Sequence, residues 1–161
     1  MKINKQEIER RMSRFNEVCR NSGVKLTHQR MEIFREVAQT GNHPEAEGVH
    51  QGVRKRMPTI SLDTVYRTLW LLKDLGLINT LGLPRERTRF DANLSRHHHF
   101  VCIRCGLTRD FYSDELDELR LPESLKDFSY VETTQIVVKG VCLKCAVREK
   151  KPIQPSQEKR R

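Results

Sequence analysis

Apolar residues in the first half of the chain recur at helical spacing. Ile8, Met12, Phe15 and Cys19 fall at i, i+4, i+7 and i+11, one face of a first helix, where Cys19 reads as a small core residue. Thr27 suits the N-cap of a second helix with Ile33, Phe34, Val37 and Ala38 facing inward, and Gly41-Asn42 stops it. Pro44 fits the first turn of a third helix carrying Ala46, Val49 and Val53, which Pro58 breaks. Ser61 caps a fourth helix running to about Leu75, with Leu62, Val65, Leu69 and Leu72 as its inner stripe and Gly76 as its C-cap. Thr64, Arg67 and Leu71 fall on its opposite side. A short strand at Leu77–Thr80, a turn at Gly82 and Pro84 and a return strand at Arg87–Phe90 complete the layout of a winged helix-turn-helix.

The second half changes character. His99-Phe100-Val101 reads as a strand, Leu107–Tyr112 as the next, and Ser113 as the cap of a short helix holding Leu116 and Leu119. Phe128–Lys139, rich in β-branched residues, reads as one long strand. The segment 151–161, with two prolines and no apolar period, reads as a disordered basic tail. The apolar stretches around Leu69–Leu77 and Ile136–Val141 are far too short to span a bilayer, and the N-terminus has no apolar run of the secretory kind, so a cytoplasmic protein is expected.

Charge divides the chain the same way. Residues 1–94 carry 17 Lys+Arg against 11 Asp+Glu, whereas residues 95–150 carry 9 of each. A basic half joined to a neutral half suits a polyanion-binding module attached to something else, although a solvated basic surface has the same composition.

Two clusters carry candidate chemistry. Cys102-x-x-Cys105 and Cys142-x-x-Cys145 have the spacing of two knuckles around one tetrahedral zinc, and four thiolates leave no open position, which points to structural metal. A redox dithiol is the alternative. His97 and His99 share one face of a strand, with His98 on the other. With Asp91, Asp110 and His43 they could form a mixed nitrogen and oxygen site for Fe(II), Mn(II) or Zn(II), although three adjacent histidines also occur as a plain polar strand end. The fourth helix presents Thr64, Tyr66 and Arg67 from its N-terminal half, where recognition helices meet the major groove; an ordinary surface helix would look similar.

Over about residues 15–147 the sequence resembles the ferric uptake regulator family of metal-dependent repressors. The resemblance is carried by Gly23-Val24-Lys25-Leu26-Thr27, Gln29-Arg30, His43-Pro44, Ser61-Leu62, Thr64-Val65-Tyr66-Arg67, Leu69, Thr88-Arg89-Phe90-Asp91 and His97, His99-Phe100-Val101-Cys102, Cys105-Gly106. It implies an α+β protein: an N-terminal winged helix-turn-helix domain (1–90), a hinge (91–96) and a C-terminal α/β dimerisation domain (97–150) with the structural four-cysteine zinc site. It implies one structural Zn2+ per chain and one regulatory Fe2+ or Mn2+ per chain, held by His43, Asp91, His97, His99 and Asp110. The partners implied are a palindromic double-stranded DNA operator and a second copy of the chain, with no membrane and no small organic substrate. Ser61, Thr64, Tyr66 and Arg67, with Arg85, Arg87 and Arg89 in the wing, would meet the DNA.

Within the family, Asp91 and Asp110 are more similar to the peroxide-sensing branch, because uptake regulators usually carry Glu at the second position. That branch implies release from DNA when a ligand histidine, His43 or His97 by position, is oxidised. A further site used by many uptake regulators is expected to be absent, since Arg96 and Thr134 stand where it needs histidines. The role of His98 stays open. The expected function is therefore a metal-dependent repressor and not an enzyme, with an iron-responsive uptake regulator as the alternative. More remote readings are a constitutive zinc-ribbon interaction module and a metal-dependent enzyme, which would leave the basic half unexplained.

Overall fold

The structure, a computed structural model, describes residues 3–82, 88–125, 127–128, 130–131 and 134–148. The chain divides into two compact units between Ser95 and Arg96. The expected tail at 151–161 and the turn residues Pro84, Arg85 and Arg87 lie outside the described residues. Among the described residues no helix is long and apolar enough to cross a membrane.

The first unit opens with α1 (Lys5–Asn21) and α2 (His28–Ala38), capped by the side chains of Asn4 and Thr27. Next come α3 (Ala46–Arg54) and α4 (Leu62–Asp74), the latter capped by Ser61, whose Oγ accepts from the Thr64 N–H at 3.1 Å. Each cap satisfies an N–H that the first helical turn leaves without a partner. Gly76, at φ +64°, takes the left-handed position that ends α4. The chain then forms the antiparallel pair β1 (Asn79–Leu81) and β2 (Arg89–Asp91), in which Asn79 faces Asp91. Asp91, expected in the hinge, is thus the last residue of a paired strand.

The core of this unit is aliphatic and aromatic. Phe15 and Phe34 stack at 4.9 Å, amid buried Cys19, Ile33, Val37, Val49, Val53, Val65, Leu69, Leu72 and Phe90. Leu62, expected on the inner stripe of α4, is only half-buried, and Thr68 is buried instead. Outside the core, the Arg56 guanidinium reaches Glu32 and Glu36 of α2, the latter at 2.8 Å, which ties the end of α3 to α2.

The second unit is a three-stranded sheet. Its central strand is β3 (His98–Cys102); β4 (Thr108–Phe111) pairs with it antiparallel and β5 (Val137–Gly140) parallel. Two short helices, α5 (Asp114–Asp117) and α6 (Leu143–Arg148), complete it. Ser113 caps α5 as expected, but the helix stops before Leu119. The strand expected over Phe128–Lys139 shrinks to β5, and no described residue from Phe128 to Ile136 lies in a strand. β-branched composition favours a pleated surface only where a neighbour packs against it, and Tyr130 and Val131 are exposed. The interior of this unit differs in kind from the first. Its buried described residues are His97, His98, His99, Cys102 and Thr108.

Replacing Phe34, 1% exposed, with alanine removes half of the stacked pair and leaves a cavity. Phe34→Ala is expected to cost about 3–5 kcal/mol, read as a lower midpoint in urea with an unchanged m-value.

Candidate metal centres and nucleic-acid interface

Four sulfurs converge at one end of the β3–β5 pair. Cys102 ends β3, and the chain turns tightly after it: the Gly106 N–H donates to the Cys102 carbonyl at 2.9 Å, with Gly106 at φ +68°. The Ile103 N–H donates to the Gly140 carbonyl at 2.8 Å, which brings this turn beside the segment leading to Cys142. Cys145 lies in α6. The Sγ atoms of Cys102, Cys105, Cys142 and Cys145 all lie within 4.8 Å of one another, and those of Cys105 and Cys142 are 3.8 Å apart. Tetrahedral coordination with Zn–S bonds of ~2.3 Å sets sulfurs ~3.8 Å apart, so the group fits zinc.

The local electrostatics agree with that fit. Backbone N–H groups, first that of Cys142 at 3.3 Å and then that of Cys105, draw the Cys102 thiol down to about 6. The Cys145 thiol is pushed up to about 12 by its hydrogen bonds to Cys105 and Cys142. One thiolate is welcome here, whereas four need a cation among them.

The imidazoles and carboxylates singled out in the sequence fall into two sets. In the first unit, His43 Nε2 stands 3.5 Å from Asp91 Oδ2, and both residues are buried. Asp91 Oδ1 accepts from the Asn93 N–H at 2.8 Å. In the second unit, His97 and His99 bring their Nε2 atoms to 2.9 Å. Asp110, which faces His99 across the β3–β4 pair, has carboxylate oxygens 4.0 Å from His97 and 3.9 Å from His99. Three donors thus converge in the second unit and two in the first. Imidazole and carboxylate together suit Fe(II), Mn(II) or Zn(II), so each set fits part of the shell of such an ion.

His98 points elsewhere. Its Nε2 lies 3.2 Å from Asp117 Oδ1, which also receives the Arg96 guanidinium at 3.1 Å, and its ring packs at 5.4 Å from Phe111. This ties α5 to β3, and Arg96 supplies there a permanent positive charge.

The outer face of α4 carries the nucleic-acid candidates. Ser61 and Thr64 are engaged in the cap, with their hydroxyl oxygens 2.8 Å apart. The Tyr66 hydroxyl donates to Glu47 of α3 at 3.0 Å, and the Arg67 guanidinium meets Asp63 one turn earlier at 2.9 Å. Thr64 and Arg67 line one side of a polar cleft whose other side is Thr27, Gln29 and Arg30 at the start of α2. The sequence pattern gives Gln29 and Arg30 no surface role, because a contact across two helices leaves no periodic signal. Trp70, the only tryptophan, is half-exposed one turn beyond Tyr66 and meets Phe90 edge-on at 6.0 Å.

The Arg89 guanidinium turns onto the segment before α3. Nη1 donates to the His43 carbonyl at 3.2 Å, and Nη2 lies 3.4 Å from Glu45 Oε1. Arg85 and Arg87 lie outside the described residues.

Residues 21–137 match the sequence profile of the ferric uptake regulator family. The chain belongs to that family. Similar proteins include the peroxide-responsive repressor PerR of Staphylococcus epidermidis, 35% identical over 78% of this chain and 84% of that protein. The PerR of Staphylococcus aureus strain USA300 is 32% identical over 90% of this chain and 98% of that protein. Among solved structures, the ferric uptake regulator of Helicobacter pylori has the same fold, with TM-score 0.69 over 90% of this chain and 96% of that one at 22% identity. Family members are metal-responsive, DNA-binding, dimeric transcription regulators and not enzymes, so the metal-dependent enzyme is set aside.

If the sulfur cluster holds one structural zinc, Cys102→Ser is expected to lose that zinc and the cooperative unfolding of the second unit together. Metal analysis alongside thermal unfolding reads both. A zinc-free Cys102→Ser protein with wild-type unfolding would overturn the structural role.

Proposed function

We propose that this protein is a homodimeric repressor that binds a palindromic DNA operator while a regulatory metal is present, and that peroxide is its signal. The observation that carries the metal gate is the division of the donor set. His43 and Asp91 belong to the unit that bears α4, and His97, His99 and Asp110 belong to the other. Neither set alone fills the coordination shell of a first-row divalent ion, whereas the five together, from three imidazoles and two carboxylates, suit Fe(II) or Mn(II). An ion drawing on both sets favours one arrangement of the units by its differential affinity for that arrangement, which is what a gate requires.

DNA binding rests on the basic first unit and on α4. Tyr66 and Arg67 lie on its exposed face. Arg67 can exchange its exposed pairing with Asp63, which holds it only weakly, for the acceptors of a guanine edge. In a dimer the two recognition helices would meet half-sites about 34 Å apart or a multiple of that. The homodimer is supported by the second unit, where Phe128, Tyr130, Val131, Leu143 and Val147 are exposed and, among the described residues, no further strand covers either edge of the sheet. A DNA operator implies work in the cytoplasm.

The peroxide reading rests on the similarity to proteins named peroxide-responsive repressors and on Asp, rather than Glu, at residue 110. Fe(II) held by the five residues would supply the electron that converts peroxide into an oxidant of an adjacent side chain. His43 and His97, buried imidazoles of the two sets, are the residues that would take up the oxygen. An oxidised imidazole is a poorer donor, which weakens the link between the units and releases the DNA.

Two outcomes test this reading. Arg67→Ala is expected to lower affinity for a duplex selected from a random pool by about 5- to 150-fold, with little change on an unselected duplex. Equal losses on both would mean that Arg67 meets only phosphates. In the second, the Mn(II)-loaded protein should keep its DNA through peroxide treatment, and the Fe(II)-loaded protein should release it with one added oxygen on His43 or His97, read by mass spectrometry. Release without modified histidines, governed by iron level alone, would make the protein an iron-responsive regulator of the same family.

A further inference from the structure

His43 is unusual in its backbone. At φ +49° it is the one non-glycine residue with positive φ among the described residues, a left-handed backbone conformation uncommon outside glycine. Its imidazole is nevertheless buried beside Asp91. The segment it opens is stapled to β2 at three points. Arg89 donates to the His43 carbonyl at 3.2 Å, and the same guanidinium lies 3.4 Å from Glu45. The Phe90 N–H donates to the Pro44 carbonyl at 3.0 Å. Glu45 and Arg89 also form an isolated antiparallel bridge. The next residue of β2 is Asp91. The two metal-facing residues of the first unit, far apart in sequence, are therefore registered against each other through Arg89 and Phe90.

We propose that Arg89 is a positioning residue for the regulatory metal rather than a DNA contact: its guanidinium fixes the His43 carbonyl, and so the left-handed turn that aims the His43 imidazole at the site shared with Asp91. The inference rests on the metal-gated reading above. A guanidinium is suited to this work because its planar fork serves a carbonyl and a carboxylate at once; the point charge of a lysine serves one or the other. Reaching DNA would require Arg89 to give up the His43 carbonyl, so one side chain cannot do both. Groups that orient metal ligands without touching the metal typically change affinity by about 10- to 100-fold when removed.

The test uses the whole zinc-loaded chain of 161 residues and separates metal affinity from DNA affinity. Mn(II) dissociation constants are measured by chelator competition for wild type, Arg89→Ala, Arg89→Lys and Glu45→Gln, with zinc content and thermal midpoint recorded for each. DNA affinity is measured at saturating Mn(II) on a duplex selected by the wild type. Mn(II) binding is expected to weaken by about 10- to 100-fold in Arg89→Ala and by nearly as much in Arg89→Lys, with a smaller loss in Glu45→Gln. Zinc content should stay at one per chain, and DNA affinity at saturating Mn(II) should stay within about twofold of wild type. Should Arg89→Ala fail to fold, Arg89→Lys and Glu45→Gln carry the comparison. Unchanged Mn(II) affinity with weakened DNA binding at saturation returns Arg89 to the DNA face and overturns the proposal. A lowered thermal midpoint with unchanged Mn(II) affinity makes Arg89 merely structural and also overturns it. A wild type that takes up no Mn(II) or Fe(II) beyond its zinc overturns the metal-gated reading itself, and this inference with it.

Discussion

In the second unit, imidazoles and a thiol occupy the interior positions that aliphatic side chains fill in the first. A unit of this size built on a three-stranded sheet and two short helices buries too little apolar surface to offset the entropy of ordering its chain. Buried polar groups add to the deficit unless something satisfies them. Metal coordination resolves both demands at once. On the reading proposed above, one ion would neutralise the clustered thiolates and another would share the lone pairs of His97 and His99, and their binding free energy would become folding free energy.

The first unit solves the complementary problem. It folds on an apolar core with stacked Phe15 and Phe34, so α4 does not depend on metal for its existence. Its connection to the metal is local. β2 carries Arg89, Phe90 and Asp91 in succession, and these face three different tasks. Arg89 holds the turn of His43, Phe90 packs under α4 against Trp70, and Asp91 stands beside the His43 imidazole. One short strand thus touches both the His43–Asp91 pair and α4. Packed side chains of this kind transmit displacement because a dense core resists compression.

Carboxylates stand beside both side chains of α4 that are proposed to read DNA. Glu47 engages Tyr66, and Asp63 engages Arg67. Both carboxylates oppose the field of the phosphates, so the basic surface of the first unit is offset where sequence would be read.

The sequence by itself determined the helices of the first unit, because helical burial repeats every few residues and caps are local: Thr27 and Ser61 mark their starts and Gly76 an end without reference to anything distant. It also determined the cysteine cluster, since CxxC spacing is itself a geometric constraint. Resemblance to a family, rather than periodicity, brought His43 and Asp91 into one set with the later histidines. The tertiary structure decided what depends on partners remote in the chain. It cut the strand expected over Phe128–Lys139 down to β5, since β propensity acts only where a neighbouring strand accepts the pairing. It gave His98, which strand alternation already sets on the other face from His97 and His99, Asp117 as its neighbour, a contact set by where α5 lands. It laid the Arg89 guanidinium on the carbonyl of His43. A side chain's chemistry is written in the sequence, but which of several acceptors a long guanidinium meets is settled only when β2 is laid beside the turn that His43 opens.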